Sequence, residues 1–224
     1  DVSSAASDVY KRQKLIEHSI VIWTTTPWTI PGNRALAVHN DIEYKSLNLK
    51  INDGNKNVII ASDLVESFIK ENKIEEYKVN FSIKGHELTN TFCKHTLYDS
   101  GYNFEVPILH GDFVTTEQGT GIVHICPVHG MDDFILGKQH DLELPMTINE
   151  SGIYYDHIPV FNGQHIFKVD QNVCDEIKKN NNLISQGILV HSYPHSWRSK
   201  APLVYKNTSQ WFISMDTNDC LLYT

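Results

Sequence analysis

Three adjacent threonines, Thr24-Thr25-Thr26, stand between Trp23 and Pro27, and an amide, Asn33, follows the turn Pro31-Gly32. Hydroxyls and an amide supply donors and acceptors without charge, as needed to hold a ribose or a terminal base. Residue type alone also allows a plainer reading, a β-segment with its threonines facing solvent and a turn asparagine. Position favours chemistry. The hydroxyls come where an apolar run ends, in front of a proline and Trp28, which can wall a pocket.

A second string, GTGIVHICPVHGMDDF, runs from Gly119 to Phe134. Gly119 and Gly121 permit close backbone approach around Thr120, so Gly119 and Thr120 are candidate substrate contacts. His124 lies on the strand that follows, and Asp133 lies at the start of a helix nine residues later. One intervening loop can turn both toward the same cleft. The alternatives are a helix dipole satisfied by Asp132 and Asp133, and a hydrogen-bonded structural histidine. His124, His129 and Asp133 could also be read as metal ligands, but the H-x4-H spacing matches no strong zinc signature. Neither Cys126 nor Ser209 has the context of an activated nucleophile.

The third string, HSYPHSWRSKAPLVYKNTSQWF (191–212), sets aromatic rings beside Arg198 and Lys200. Such a stretch can stack on RNA or form a packed ribbon. Pro194 argues against a helix that would join His191 to His195.

These candidates need elements to hold them. Ser19–Thr25 and 34–38 read as buried strands. Residues 44–51 alternate into Asn52-Asp53-Gly54, and the apolar run 58–60 follows, a hairpin signal. Ser62 or Asp63 is expected to cap a short helix bearing Leu64, Val65, Phe68 and Ile69. Residues 77–83 alternate, and further strands are expected at 104–109, 112–117 and 120–126. Helices are expected over 131–140 and 166–180, the second with Ile166, Val169, Val173 and Ile177 on one face. A closing strand pair is expected over 203–214. The pattern is mainly β with peripheral α-helices around a barrel-like or sandwich core.

The 224 residues, 41% hydrophobic, can build one sizeable core. Lys and Arg total 19 against 27 Asp and Glu, a net charge of −8. That balance disfavours a grip on a long nucleic acid and leaves room for local contact with a strand end. Cys93, Cys126, Cys174 and Cys220 are widely spaced and contain no C-x-x-C, as expected of reduced thiols in the cytoplasm. The apolar run Ile20–Trp23 is too short for a signal core or a membrane span. Both ends read as cut from something longer, and residues 1–16 fit no element.

Taken together and in this order, WTTTPWTIPGNRA, GTGIVH, HGMDDF and HSYPHSWRSKAP resemble the inserted editing domain of isoleucyl-tRNA synthetases across roughly residues 17–216. The related valyl and leucyl enzymes typically carry TTRP where this chain has Thr24-Thr25-Thr26-Pro27. The resemblance implies the β-barrel-like core of the valyl/isoleucyl/leucyl-tRNA synthetase editing domain, over 17–190, with 191–224 as a return ribbon toward an absent catalytic domain. It implies hydrolysis of valine esterified to the isoleucine tRNA, with the misactivated adenylate as a further substrate whose share the sequence leaves open, in a monomer without a cofactor. By motif, Thr24, Thr25, Thr26 and Asn33 line the site for the terminal adenosine and ester. Trp28 and His124 shape the amino-acid pocket, and Asp133 holds the α-ammonium. Ser196 and Ser199 stand where many relatives have the two cysteines of a zinc-binding C-x-x-C, so no zinc is expected there. The aminoacylation signatures HIGH and KMSKS are absent, so this piece is not expected to activate an amino acid.

The physical logic is a second, smaller chamber. One methylene is worth only about 1–3 kcal/mol, and isoleucine against valine is itself the standard instance of that limit rather than a result of this structure. A rigid wall can reject the larger side chain more sharply. The residues leave the base open between His124 and the substrate's own vicinal hydroxyl. Two rival classes remain from sequence: a non-catalytic module for tRNA ends, and a metal-dependent hydrolase.

Overall fold

A computed structural model describes residues 15–51, 54–189, 192–211 and 213. Two four-stranded sheets carry the architecture. In chain order the strands are β1 (His18–Ile20), β2 (Ala35–Val38), β3 (Glu43–Ile51), β4 (Gly54–Ala61), β5 (Tyr77–Lys84), β6 (Phe92–Lys94), β7 (Glu105–His110) and β8 (Val123–Ile125). One sheet has the order β1-β4-β3-β5 and the other β6-β7-β2-β8. The helices are α1 (Val65–Glu71), α2 (Gly85–Leu88), α3 (Met131–Gln139) and α4 (Ile166–Lys179).

Strand alternation explains the layers. Leu36 and Val38 of β2 face Tyr44, Ile59, Ile83, Val106 and Ile108, forming a core between the sheets. Ala35 and Ala37 point the other way, onto Leu109, Ile125 and Leu136 under α3. Val58 and Ile60 likewise leave the central core for Leu47, Leu49 and Phe68 beneath α1. Strands buried on both faces read as continuous apolar runs, which is why β2 and the end of β4 stood out in the sequence. The two sheets do not close into a continuous barrel. They are joined at one end where Ala61 N–H donates to Thr120 O at 2.9 Å and Tyr44 Oη–H donates to Gly121 O at 2.9 Å. Gly121 has φ +70°, and a Cβ there would lie 2.4 Å from that of Ala61, so this junction admits only glycine.

The β3–β4 hairpin pairs through Ile51↔Gly54, as expected, with Asn52 and Asp53 outside the described residues. The stripe Ile166, Val169, Val173, Ile177 packs α4 against Trp28, Leu97 and Phe161.

Four expectations are corrected. The first strand stops at Ile20, because its parallel pairing with β4 ends at Ile20↔Ile59 and the threonines then bond within their own turn. Residues 112–117 form no strand; Val114 N–H donates to Gly111 O in a turn instead. Ser62 does not cap α1. It lies in a 3-10 turn, its hydroxyl donating to Glu43 Oε1 at 3.0 Å. Among the described part of 203–214 there is no strand, only an isolated bridge between His195 and Pro202 just before it. Phe212 and Ser214 lie outside the described residues, as do 1–14 and His191.

Cys93, Cys126 and Cys174 are free thiols. No described helix is long and apolar enough to cross a membrane.

Candidate active site

The threonine turn is built locally. Thr26 N–H donates to Thr24 Oγ1 at 3.0 Å, folding the hydroxyls back before Pro27 enters a 3-10 turn, Pro27–Gly32. Proline suits that first position, where its missing N–H is not needed. Thr29, one turn on, donates its hydroxyl to Thr26 O at 2.9 Å. The turn's other face is held from below, with Trp28, Ile30 and Pro31 buried.

From the opposite sheet β8 delivers His124, and the Cys126–Gly130 turn leads into α3. These pieces enclose a cavity of about 300 Å³. Its walls include all three threonines, Thr29, His124 and Asp133. Trp23, Val123, Cys126, His129 and Gly130 complete it. A larger hollow of about 510 Å³ lies beside α1 and β5, lined by Lys70, Lys73, Glu66 and Glu75 among others. It is shallow and lacks the threonine, histidine and carboxylate groups that converge in the smaller cavity.

Hydrogen bonds determine the state of His124. Thr29 Oγ1 already donates to Thr26 O, so at 2.9 Å from His124 Nε2 it accepts. Asn33 Nδ2 donates both to Ala35 O, at 3.0 Å, and to His124 Nδ1, at 2.9 Å. The ring is therefore assigned as the neutral Nε2–H tautomer with its one lone pair in use. Burial, reinforced by His95 and His129, pushes its pKa down to about 4. Such an imidazole is held in one orientation. It has no free nitrogen with which to take a proton from water.

Asp133 differs. Its Oδ2 accepts the Cys126 N–H at 2.8 Å, and burial raises its pKa to about 6 against the pull of that bond. Among the described residues no lysine or arginine lines the cavity. The carboxylate thus presents one negative charge with no fixed cation beside it, a natural seat for a ligand ammonium. Gly130 makes room: a Cβ there would lie 2.9 Å from Asp133 Cγ.

The remaining candidates separate. Trp28 is 6% exposed and does not line the cavity; it stands behind, its ring edge-on to His129 at 4.8 Å. Trp23, 48% exposed, is the indole at the cavity. Asn33 acts one layer back, through His124. Thr120 is buried, its hydroxyl donating to Val21 O at 2.7 Å, and it too lies outside the lining. Gly119 (φ +77°) lies against the Trp23 ring. Thr29 and His129 were not recognised as lining; Thr29 belongs to the first string but only the 3-10 turn rotates it inward. The proposed metal set fails geometrically, since both His124 nitrogens are engaged. Among the described residues no group of three His, Cys, Asp or Glu is placed to hold an ion.

The family described as leucyl-tRNA synthetase, editing domain, matches residues 8–193. The chain belongs to this editing-domain family. Among curated proteins, isoleucine–tRNA ligase of Pelagibacter ubique is 46% identical over 209 residues, covering 92% of this chain and 23% of that protein. The Pseudoalteromonas atlantica ligase of the same name is 40% identical, with 89% and 21% covered. The chain therefore spans about a fifth of these relatives' length. In fold, it is similar to the leucyl enzyme's CP1 domain GlLeuRS-CP1, with a TM-score of 0.61 at 16% identity, covering 86% of this chain and 91% of that one. The P. knowlesi cytosolic leucyl-tRNA synthetase editing domain gives 0.54 at 15%, covering 81% and 91%.

Proposed function

We propose that this editing domain hydrolyses the ester of valine wrongly attached to the isoleucine tRNA and spares isoleucine. One observation carries the reading: an unpaired carboxylate, Asp133, shares a small cavity with the Thr24–Thr26 hydroxyls and a rigid histidine wall. The carboxylate anchors the α-ammonium, and the hydroxyls orient the terminal ribose and ester. His124, clamped by Thr29 and Asn33, supplies the steric limit. With that ring's lone pair occupied, catalysis rests on orientation of an already labile ester and water, and the substrate's vicinal hydroxyl is the available proton carrier.

The domain acts as a cytoplasmic monomeric unit of a longer synthetase, without a cofactor. Residues 17–190 form the editing body and 191–224 the return path. A non-catalytic tRNA-end module is the weaker reading, because a binding surface for nucleotides has no use for a half-buried carboxylate with no cation beside it. The test is deacylation of valyl- and isoleucyl-charged isoleucine tRNA, with and without chelator. Valine release alone, unaffected by chelation, is expected. Equal binding of both without hydrolysis refutes the proposal, and loss of activity on chelation refutes its cofactor-free chemistry.

A further inference from the structure

The segment 204–207 lies far along the chain from the cavity yet is fastened to its rim. His129, which lines the cavity, places Nδ1 2.8 Å from Tyr205 O and Nε2 2.6 Å from Thr147 Oγ1. A carbonyl oxygen only accepts, so Nδ1 carries the hydrogen and the neutral ring's Nε2 accepts from Thr147. Two further ties hold the same segment. Asn207 N–H donates to Val128 O at 2.9 Å, and Lys206 Nζ pairs with Glu150 Oε1 at 2.6 Å, its side chain only 12% exposed. Val204 packs on the cluster that contains Trp28 and Ile30, and Trp28 meets the His129 ring.

His129 belongs to the turn whose first residue holds the ammonium seat. Its own N–H donates to Cys126 O at 2.9 Å, and Cys126 N–H donates to Asp133 Oδ2 at 2.8 Å. One ring and one tight turn thus connect Tyr205 to the carboxylate.

We infer that His129 is a positioning residue that couples the 204–207 segment to the geometry of the cavity, so that the path of this segment sets how well Asp133 is aimed. The consequence for activity rests on the editing function proposed above; the mechanical coupling does not.

The residue types permit a discriminating test. An asparagine amide N–H reaches from the position of Nδ1 and can keep the Tyr205 tie, whereas glutamine reaches from the position of Nε2 and keeps only Thr147. His129→Ala and His129→Gln are expected to lower kcat/KM for valyl-tRNA deacylation by about 10- to 100-fold. His129→Asn is expected to restore most of that loss. Amide hydrogen exchange at Asn207 and Cys126 is read in the same proteins: both should accelerate together in His129→Ala and His129→Gln, and both recover in His129→Asn. Faster exchange at Asn207 with Cys126 unchanged overturns the coupling, as does rescue by glutamine instead of asparagine. If the wild-type protein shows no deacylation, the functional reading fails while the paired exchange rates still decide the coupling.

Discussion

Replacing Asp133 by Asn separates what the carboxylate does for function from what it costs the fold. Burial lifts its pKa from 3.8 to about 6, so the folded protein holds a proton there that the unfolded chain has already released. Stability therefore falls as pH rises from about 4 to 6, and at neutral pH the gap of about two pK amounts to about 3 kcal/mol. Asparagine keeps an oxygen to accept the Cys126 N–H and removes the half-buried charge. Asp133→Asn should raise the free energy of unfolding by up to about 3 kcal/mol at pH 7 while abolishing valyl-tRNA deacylation. Urea unfolding of both proteins at pH 7 and pH 4 reads the difference. The gain should shrink toward zero at pH 4, where the wild-type folded state is itself protonated. A variant less stable than wild type at pH 7, or a difference that ignores pH, would refute the reasoning that this carboxylate is held at a desolvation cost.

The same titration predicts that wild-type deacylation, corrected for the intrinsic lability of the ester, rises with pH through about 6 and then levels, as the ammonium seat becomes charged. An uninflected profile across that range contradicts Asp133 as the anchor. Gly130→Ala should raise KM for valyl-tRNA with little change in stability, because its φ of −146° suits alanine while the new methyl displaces Asp133; an unchanged KM counts against the close contact. Asn33→Ala removes the donor to His124 Nδ1 at a cost of about 1–3 kcal/mol and frees the wall, so hydrolysis of isoleucyl-tRNA should appear. Continued sparing of isoleucine would show that the wall does not depend on Asn33. Gly121→Ala, strained by its positive φ and facing Ala61, should destabilise by at least about 2 kcal/mol in thermal unfolding.

Local patterning was enough to place much of the frame. The alternation of β3 and β5 and the 3–4 stripe of α4 each express a period that neighbouring residues define among themselves. The first two strings also contain every residue that lines the cavity, although residue type alone left the threonines, the histidine and the aspartate a plainer structural reading each. Sequence could not decide which tryptophan faces the cavity. That depends on the 3-10 turn after Pro27, which buries Trp28 and leaves Trp23 at the cavity. Nor could it show that Thr29 and Asn33, 95 and 91 residues from His124, take both its ring nitrogens and leave a candidate base with no free lone pair. Periodicity records which face of its own element a side chain occupies. The partner waiting on that face is set by how separate sheets pack, and there a single hydrogen bond decides whether an imidazole has a lone pair left to give.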